Sequence, residues 1–440
     1  MTIKPSETMM GQSGKAAPGG PATTPAGPRS RDWLARYGKA HMNVFGLPAR
    51  VMDHGQGVRI WDLDGNAYLD MMAGIAVNAL GYAHPAWNQA LADQASRMAH
   101  ISNYFASRPQ IELAERLLSI SGAPEGSHVY FANSGTEANE AALKLARLHG
   151  NKLPHPNGTG PARILALTRG FHGRSMGSLS ATWKPTIREP FAPLVPGLEF
   201  VPAGDAGAME AAFADETKGP VAAVIMELIQ GESGVRPLDP DYVASVRSLC
   251  IDHHALMVVD EVQTGMGRTG YWFAFQDPTL SGGARPDLLT FAKGVAGGFP
   301  MGGMIAFGQE LSEVLTPGMH GSTFAGSPLA SALGLVTLET IRKEGLLANA
   351  QAGGERLRQG IMDTRNPLYV GVRGRGLLDA VQLAHTCSHA LASWALDHGL
   401  IVNAVAPDAI RLAPPLVIGP DDIDQAVDIL SQVPGDLPDD

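Results

Sequence analysis

The sequence predicts an α/β fold, with a large domain on a mostly parallel central sheet and a smaller α/β domain beyond it. Two observations lead there. Short, almost wholly apolar runs recur through the middle of the chain, among them Val221–Met226 and Leu256–Val259. Segments of helical length separate them, such as Thr136–Leu148 and Pro240–His253. A run without polar alternation is a strand buried on both faces, as a parallel sheet between two helix layers requires. At 440 residues, 45% hydrophobic and 17% charged, the chain can fill a large core.

Residues 1–30 are rich in Pro, Gly, Ala, Ser and Thr and read as a disordered leader. Folded sequence is expected to begin near Arg31–Met42, and residues 31–85 to form the N-terminal part of the smaller domain. Val58–Asp62 and Ala67–Asp70 flank Leu63-Asp64-Gly65-Asn66, a hairpin signal with Asp-Gly at the turn. Helical patterns follow at Pro85–His100 and Pro109–Ser119. The large domain is expected over residues 86–315. It opens with the strand Val129–Phe131 and the helix Thr136–Leu148, and continues with the strand Ile164–Leu167. Val221–Met226, the helix Pro240–His253, Leu256–Val259, Leu288–Phe291 and Gly303–Phe307 complete it. A long helix, Pro328–Lys343, then leads into the rest of a C-terminal part spanning residues 316–440.

A formal net charge of −10 argues against nucleic acid or an anionic membrane as the main partner. The two cysteines, Cys250 and Cys387, form no C-x-x-C pattern and have no cluster of metal ligands beside them, so neither a disulfide framework nor a metal is expected. No run of 18 apolar residues predicts a membrane span, and the N-terminus lacks an apolar signal core. A cytoplasmic protein is the expectation.

Two segments carry the chemistry. Met257-Val258-Val259-Asp260-Glu261-Val262-Gln263 places an acid at the end of a strand, and Leu289-Thr290-Phe291-Ala292-Lys293-Gly294 places a lysine after another. Ligands in open α/β sheets bind at the carboxyl ends of strands. An acid and a lysine there are what pyridoxal 5'-phosphate (PLP) requires. The Asp260 carboxylate keeps the pyridinium nitrogen protonated, and the Lys293 amine forms a Schiff base with the aldehyde. Alone, Lys293 would read as a surface lysine and Asp260 as a helix cap; their pairing favours the chemical reading. Glu261 points elsewhere if the strand is extended. Asn133-Ser134-Gly135-Thr136-Glu137 joins a strand to a helix start, where free N–H groups and the helix dipole favour a phosphate. Ser134, Gly135 and Thr136 are the expected contacts, through backbone N–H and hydroxyl. A plain capping sequence would look similar.

These segments resemble the class III aminotransferases, and the resemblance runs from about Met42 to the C-terminal end. It implies the PLP-dependent transferase fold of type I, with the smaller domain built from both chain ends. It implies further roles. Gln263 hydrogen-bonds the phenolic oxygen of PLP. In Phe171-His172-Gly173-Arg174, Phe171 stacks on the ring and Arg174 binds the substrate's α-carboxylate, while His172 is read as structural. Glu227-Leu228-Ile229-Gln230-Gly231-Glu232 is similar to the family's E-P-x-Q-G-E pattern, with Leu228 at the usual proline. Glu232 and Arg411, the latter in Ala409–Pro415, correspond to a pair that opens or closes with the substrate bound. In His320-Gly321-Ser322-Thr323-Phe324, Thr323 corresponds to a threonine that reaches the PLP phosphate of a neighbouring subunit. Ser322 is placed on the substrate side. The implied assembly is a homodimer with shared active sites.

Asp70–Gly81 resembles the acetylornithine aminotransferase subgroup. Ornithine aminotransferases carry a tyrosine in this stretch that contacts a free α-amino group; here Gly74 and Ile75 stand instead. The smaller wall leaves room for an acylated nitrogen. The implied reaction transfers the δ-amine of N2-acetylornithine to 2-oxoglutarate, as in arginine biosynthesis. Succinylornithine, succinyldiaminopimelate, ornithine and 4-aminobutyrate remain rival donors. An aminomutase and a non-catalytic PLP-binding protein remain alternatives.

Overall fold

In the computed structural model, which describes residues 26–154, 162–215 and 217–440, strict alternation of side chains builds the centre of the molecule. The central sheet has seven strands: β1 (His128–Ala132), β2 (Arg163–Leu167), β3 (Leu198–Val201), β4 (Val221–Met226), β5 (Leu256–Asp260), β6 (Leu288–Phe291) and β7 (Gly302–Ala306). Their spatial order is β1-β7-β6-β5-β4-β2-β3. Strand β7 runs antiparallel to both neighbours, and the other pairings are parallel. Ile164, Ile225, Val258 and Leu288 point into one hydrophobic cluster, together with Ala141, Ala142 and Leu145 of the helix Gly135–Gly150. Their chain neighbours Leu165, Val224, Val259 and Leu289 point into the cluster on the other face. Two-sided burial explains why the strands read as continuous apolar runs. Each fully buried Val, Leu or Ile contributes about 1.5–3 kcal/mol of transfer free energy.

The helices Pro240–Asp252 and Pro328–Lys343 form where the sequence places them. Both have Pro at the first turn, and Asp239 and Ser327 cap them through their side chains. The Asp-Gly hairpin also forms. Arg59–Asp62 pairs antiparallel with Ala67–Asp70, and Gly65 takes φ 90° at the turn.

Strand Leu400–Ile401 pairs in parallel with Leu69–Asp70, so the hairpin and the C-terminal region share one sheet. A single hydrophobic cluster accordingly unites Val58, Leu69 and Met71 with Leu391, Leu400, Ile410 and Leu412. A second four-stranded antiparallel sheet holds Tyr369–Arg375, Leu378–Leu383, Ala409–Leu412 and Asn403–Ala406 in that order. No helix among the described residues is long and apolar enough to cross a membrane.

Two expectations need revision. The first helix spans Pro28–Ala40, so the last residues assigned to the leader are helical; the leader's residues 1–25 lie outside the described residues. The helix start is held by a distant group: the Asp64 carboxylate accepts from the amides of Arg29 (2.9 Å) and Ser30 (3.2 Å). A cap supplied from across the fold leaves no local sequence signal. Strand β3 and the helix Ala206–Ala214 likewise form where no element was expected. Leu198-Glu199-Phe200-Val201 is a short edge strand with a charge inside it, too weak a pattern to read alone.

Candidate active site

One cavity of about 450 Å³ opens at the carboxyl ends of β4, β5 and β6, and most of the sequence-predicted site residues line it. Ser134, Gly135, Thr136, Phe171, Arg174, Glu232, Asp260, Gln263 and Lys293 are all in its wall, with Asn139, His172 and Glu227. Arg411 joins them through side-chain contacts with Glu232 and Gln263.

Asp260 ends β5 and is 3% exposed. Its Oδ2 accepts from His172 Nδ1 (2.8 Å) and Asn139 Nδ2 (2.8 Å), and its Oδ1 accepts from the Val262 amide (3.0 Å). Asn139 is itself fixed, since its Oδ1 accepts from Thr290 Oγ1 at 2.8 Å. A carboxylate held by several donors is fixed in orientation inside the protein. Burial works against the His172 imidazolium. The hydrogen bond and charge of Asp260, with the charge of Glu227, outweigh that and raise its pKa above the usual histidine value. Glu227 is pushed up to about 7, first by burial, with the charge of Asp260 adding to it. It accepts from the amides of Phe171 (2.9 Å) and Gly231 (3.1 Å), tying the Phe171 loop to the end of β4. Glu261 turns away as expected and accepts from the amides of Ala274 and Phe275.

Lys293 follows β6 with a positive φ of 35°, a strained conformation of the kind that clusters at working sites. Burial lowers its pKa below the ordinary lysine value, and the Arg411 cation adds to that shift. The carboxylates of Glu232, Asp260 and Glu227 oppose it. A larger fraction of neutral amine follows, as a nucleophilic lysine requires.

At the start of the helix Gly135–Gly150, Ser134 is the N-cap and accepts from the Glu137 amide. The first intrahelical bond is made by Ala138, so the amides of Gly135 and Thr136 precede it and face the cavity end. A Cβ on Gly135 would stand 2.6 Å from Val262 Cγ1, so the cup tolerates no side chain there. The Thr136 hydroxyl has another use: it accepts from the amides of Arg174 (3.2 Å) and Ser175 (3.1 Å). The Thr136 hydroxyl also lies 2.6 Å from Ser175 Oγ, so it is engaged with the Arg174–Ser175 loop as well as standing at the cup.

Glu232 and Arg411 form an ion pair at 2.6 Å, and Arg411 is 2% exposed. Arg411 also donates to Gln263 Oε1 (3.1 Å) and Asn403 Oδ1 (2.8 Å). Burial alone would raise the Glu232 pKa, but the Arg411 charge holds it below the usual range. Thr323 is exposed and stands outside the cavity of its own chain. Ser322 is also outside, and accepts from Asn133 Nδ2 at 2.8 Å beside the cup.

Asn139 and Glu227 carry parts of the site that the sequence reading did not assign. Both stood inside recognisable segments, but a polar side chain on a helix or past a strand looks like an ordinary solvated one. The signal available for Asn139 was its spacing of three from Thr136, which puts both on neighbouring helix faces.

The cavity's contents suit a pyridine ring with a phosphate tail. A buried, multiply bonded carboxylate stands at one end, unbonded helix-start amides at another, and half-buried Phe171 and Val262 along the wall. The model of the class-III aminotransferases matches residues 42–433. An acetylornithine aminotransferase of Bifidobacterium longum is 66% identical over 94% of this chain and 98% of its own. One from Streptomyces coelicolor is 46% identical over 90% and 93%. Among solved structures, the ornithine aminotransferase from Toxoplasma gondii superposes with a TM-score of 0.83 at 28% identity, covering 91% of this chain and 94% of that one. The acetylornithine aminotransferase from Elizabethkingia anophelis does so with 0.78 at 30%, covering 91% and 98%. The two activities share one backbone, so fold alone does not separate them. With the family's model spanning nearly the whole chain and the acid, lysine and phosphate cup gathered in one cavity, this protein belongs to the class III aminotransferases.

Proposed function

We propose that this enzyme transfers the δ-amine of N2-acetylornithine to 2-oxoglutarate, giving N-acetylglutamate 5-semialdehyde and glutamate, a step of arginine biosynthesis. It is a PLP-dependent aminotransferase. The observation that carries the substrate is the turn Ala73–Ala76, which leads directly into Val77 of the cavity wall. These four residues all have positive φ (49°, 63°, 67° and 61°) and make a left-handed turn with no bulky polar side chain. Asp70 Oδ1 holds the turn's start through the amides of Met72 and Ala73, and Val77 at its exit lines the cavity. Gly74 and Ile75 leave the room an acylated nitrogen needs, and the 66% identical relative carries the acetylornithine name.

Bound PLP supplies an electron sink for the charge left on the substrate's reacting carbon. The chain's own residues do the rest. Asp260 would hold the ring nitrogen through its carboxylate, which Asn139 and His172 keep from turning. The amides of Gly135 and Thr136, with Ser134, receive the phosphate. Phe171 and Gln263 position the ring. Lys293 takes a proton from the δ-carbon of the amino donor as base and, as acid, would deliver it to the bound cofactor and not back to that carbon, so the δ-carbon can leave as an aldehyde. Arg174 receives the α-carboxylate. Glu232 covers Arg411 while the donor is bound and releases it to receive the second carboxylate of 2-oxoglutarate.

We infer a homodimer in the cytoplasm, with Thr323 serving the neighbour's site and Ser322 on the substrate side. Exposed Tyr104 (93%), Phe105 (65%) and Phe324 (61%) support an interface beside that loop. Asn103 Nδ2 donates to Ala325 O and ties the two segments together. The smaller domain, in this reading, comprises residues 31–85 with the C-terminal part from residue 316.

Glutamate formation from N2-acetylornithine and 2-oxoglutarate tests the activity. Wild-type protein should produce it, and Lys293→Ala should lower kcat by about 10⁴-fold or more, since proton transfer is lost with the nucleophile. Retention of most activity by Lys293→Ala would refute the assigned role.

A further inference from the structure

We propose that Glu140 is a positioning residue for Arg174, and so for the substrate carboxylate; this rests on the reading above that Arg174 binds that carboxylate. Glu140 is not among the residues that line the cavity. It lies four residues after Thr136 on the helix Gly135–Gly150, so the two side chains share one helix face. Both grip the same loop. The Thr136 hydroxyl accepts from the amides of Arg174 (3.2 Å) and Ser175 (3.1 Å). Glu140 Oε1 accepts from Ser175 Oγ (2.6 Å) and from the amides of Gly177 (2.8 Å) and Ser178 (3.1 Å). One carboxylate oxygen thus serves three donors around the start of the short helix Met176–Ser180. The fit has no slack. Gly173 takes φ 138°, and a Cβ there would stand 2.3 Å from Thr136 Oγ1; a Cβ on Gly177 would stand 2.3 Å from Glu140 Oε2.

The consequence is geometric. The helix that presents the phosphate-binding amides also fixes the backbone from which Arg174 projects. The spacing between cofactor phosphate and substrate carboxylate is therefore set across one helix face. Arg174 itself is exposed, its guanidinium 5.9 Å from the centre of the Phe171 ring; its backbone is held on one side by Thr136 and by Thr182 Oγ1, which donates to Gly173 O (3.2 Å), and on the other by the Glu140 contacts. Removing Glu140 lets the loop shift, and small displacements of a substrate clamp cost large factors in rate.

The test uses the PLP-loaded enzyme and reads single-turnover loss of the cofactor's visible absorbance. Two amines are compared, N2-acetylornithine and carboxylate-free pentan-1-amine, in wild type, Glu140→Ala, Glu140→Gln, Arg174→Ala and the double Glu140→Ala/Arg174→Ala variant. Glu140→Ala should lower kcat/KM for N2-acetylornithine roughly 10–100-fold, mainly through KM. It should leave the starting spectrum and the pentan-1-amine rate unchanged. Glu140→Gln, which keeps an acceptor oxygen at the same reach, should recover most of the loss. The double variant should be no slower than Arg174→Ala, because Glu140 acts through that residue. Equal slowing of both amines by Glu140→Ala, loss of its PLP, or multiplicative losses in the double variant would overturn the proposal. Equal slowing of both amines by Arg174→Ala would instead show that Arg174 does not read the carboxylate, and the proposal would fall with that assignment.

Discussion

The Lys293 amine answers to three carboxylates and one guanidinium, and these can be tested separately. Arg411 depresses its pKa, while Glu232, Asp260 and Glu227 raise it against the larger effect of burial. Arg411→Gln removes the cation and should raise the amine's pKa. Glu232→Gln removes an anion and should lower it. The pH dependence of PLP capture by cofactor-free protein reports the neutral amine. Its midpoint should move up in Arg411→Gln and down in Glu232→Gln; shifts of the same sign in both would contradict the assignment of charges. At this scale Asp260 and Lys293 were legible because a lone charge closing an apolar run has few other reasons to be there. Asn139 and Glu140 were not legible. A polar residue on a helix looks like a solvated face until the fold shows what stands opposite.

The helix Gly135–Gly150 organises much of the site through one turn after another. Its first amides face the cavity, Asn139 holds Asp260, Glu140 holds the Arg174 loop, and Lys144 donates to Met319 O beside the Ser322–Thr323 segment. Gly135 packs against Val262 just past β5, where a Cβ would stand 2.6 Å from Val262 Cγ1. Gly135→Ala should therefore displace either Val262 or the cup and weaken PLP about tenfold or more, measurable by titrating cofactor-free protein with PLP. Unchanged affinity would show that the cup is looser than its geometry. The hairpin at Leu63–Asn66 was readable because Asp-Gly states its turn locally. The left-handed turn Ala73–Ala76 was not: its residues are small and apolar, and only Gly74 favours a positive φ. Contacts elsewhere impose it. Ala413 donates to Met71 O (2.7 Å) and Leu416 to Ala79 O (2.8 Å), pinning both ends to the strand exit after Arg411.

Across the whole molecule, the parallel sheet was legible because two-sided burial writes itself as unbroken apolar runs. The union of both chain ends in one hydrophobic cluster carries no such local mark, since Leu69 and Leu400 meet only through tertiary pairing. The same holds for the inferred dimer. If each site takes Thr323 from its neighbour, a mixed dimer of Lys293→Ala and Thr323→Ala chains holds one intact site and one doubly damaged one. Mixing equal amounts of the two weak variants with random exchange of subunits should restore about a quarter of wild-type activity, since about half the dimers are mixed and each holds one intact site of two. No gain over the sum of the separate variants would place Thr323 outside a shared site.

The proposed substrate rests on the turn Ala73–Ala76 beside Val77 of the cavity, and the ratio of kcat/KM for N2-acetylornithine to that for free ornithine, each with 2-oxoglutarate, probes it directly. A preference for the acetylated donor of roughly tenfold or more is expected, because the turn Ala73–Ala76 carries no polar side chain to meet a free α-amine. Equal or better use of ornithine would contradict the acylated-donor reading while leaving the aminotransferase in place.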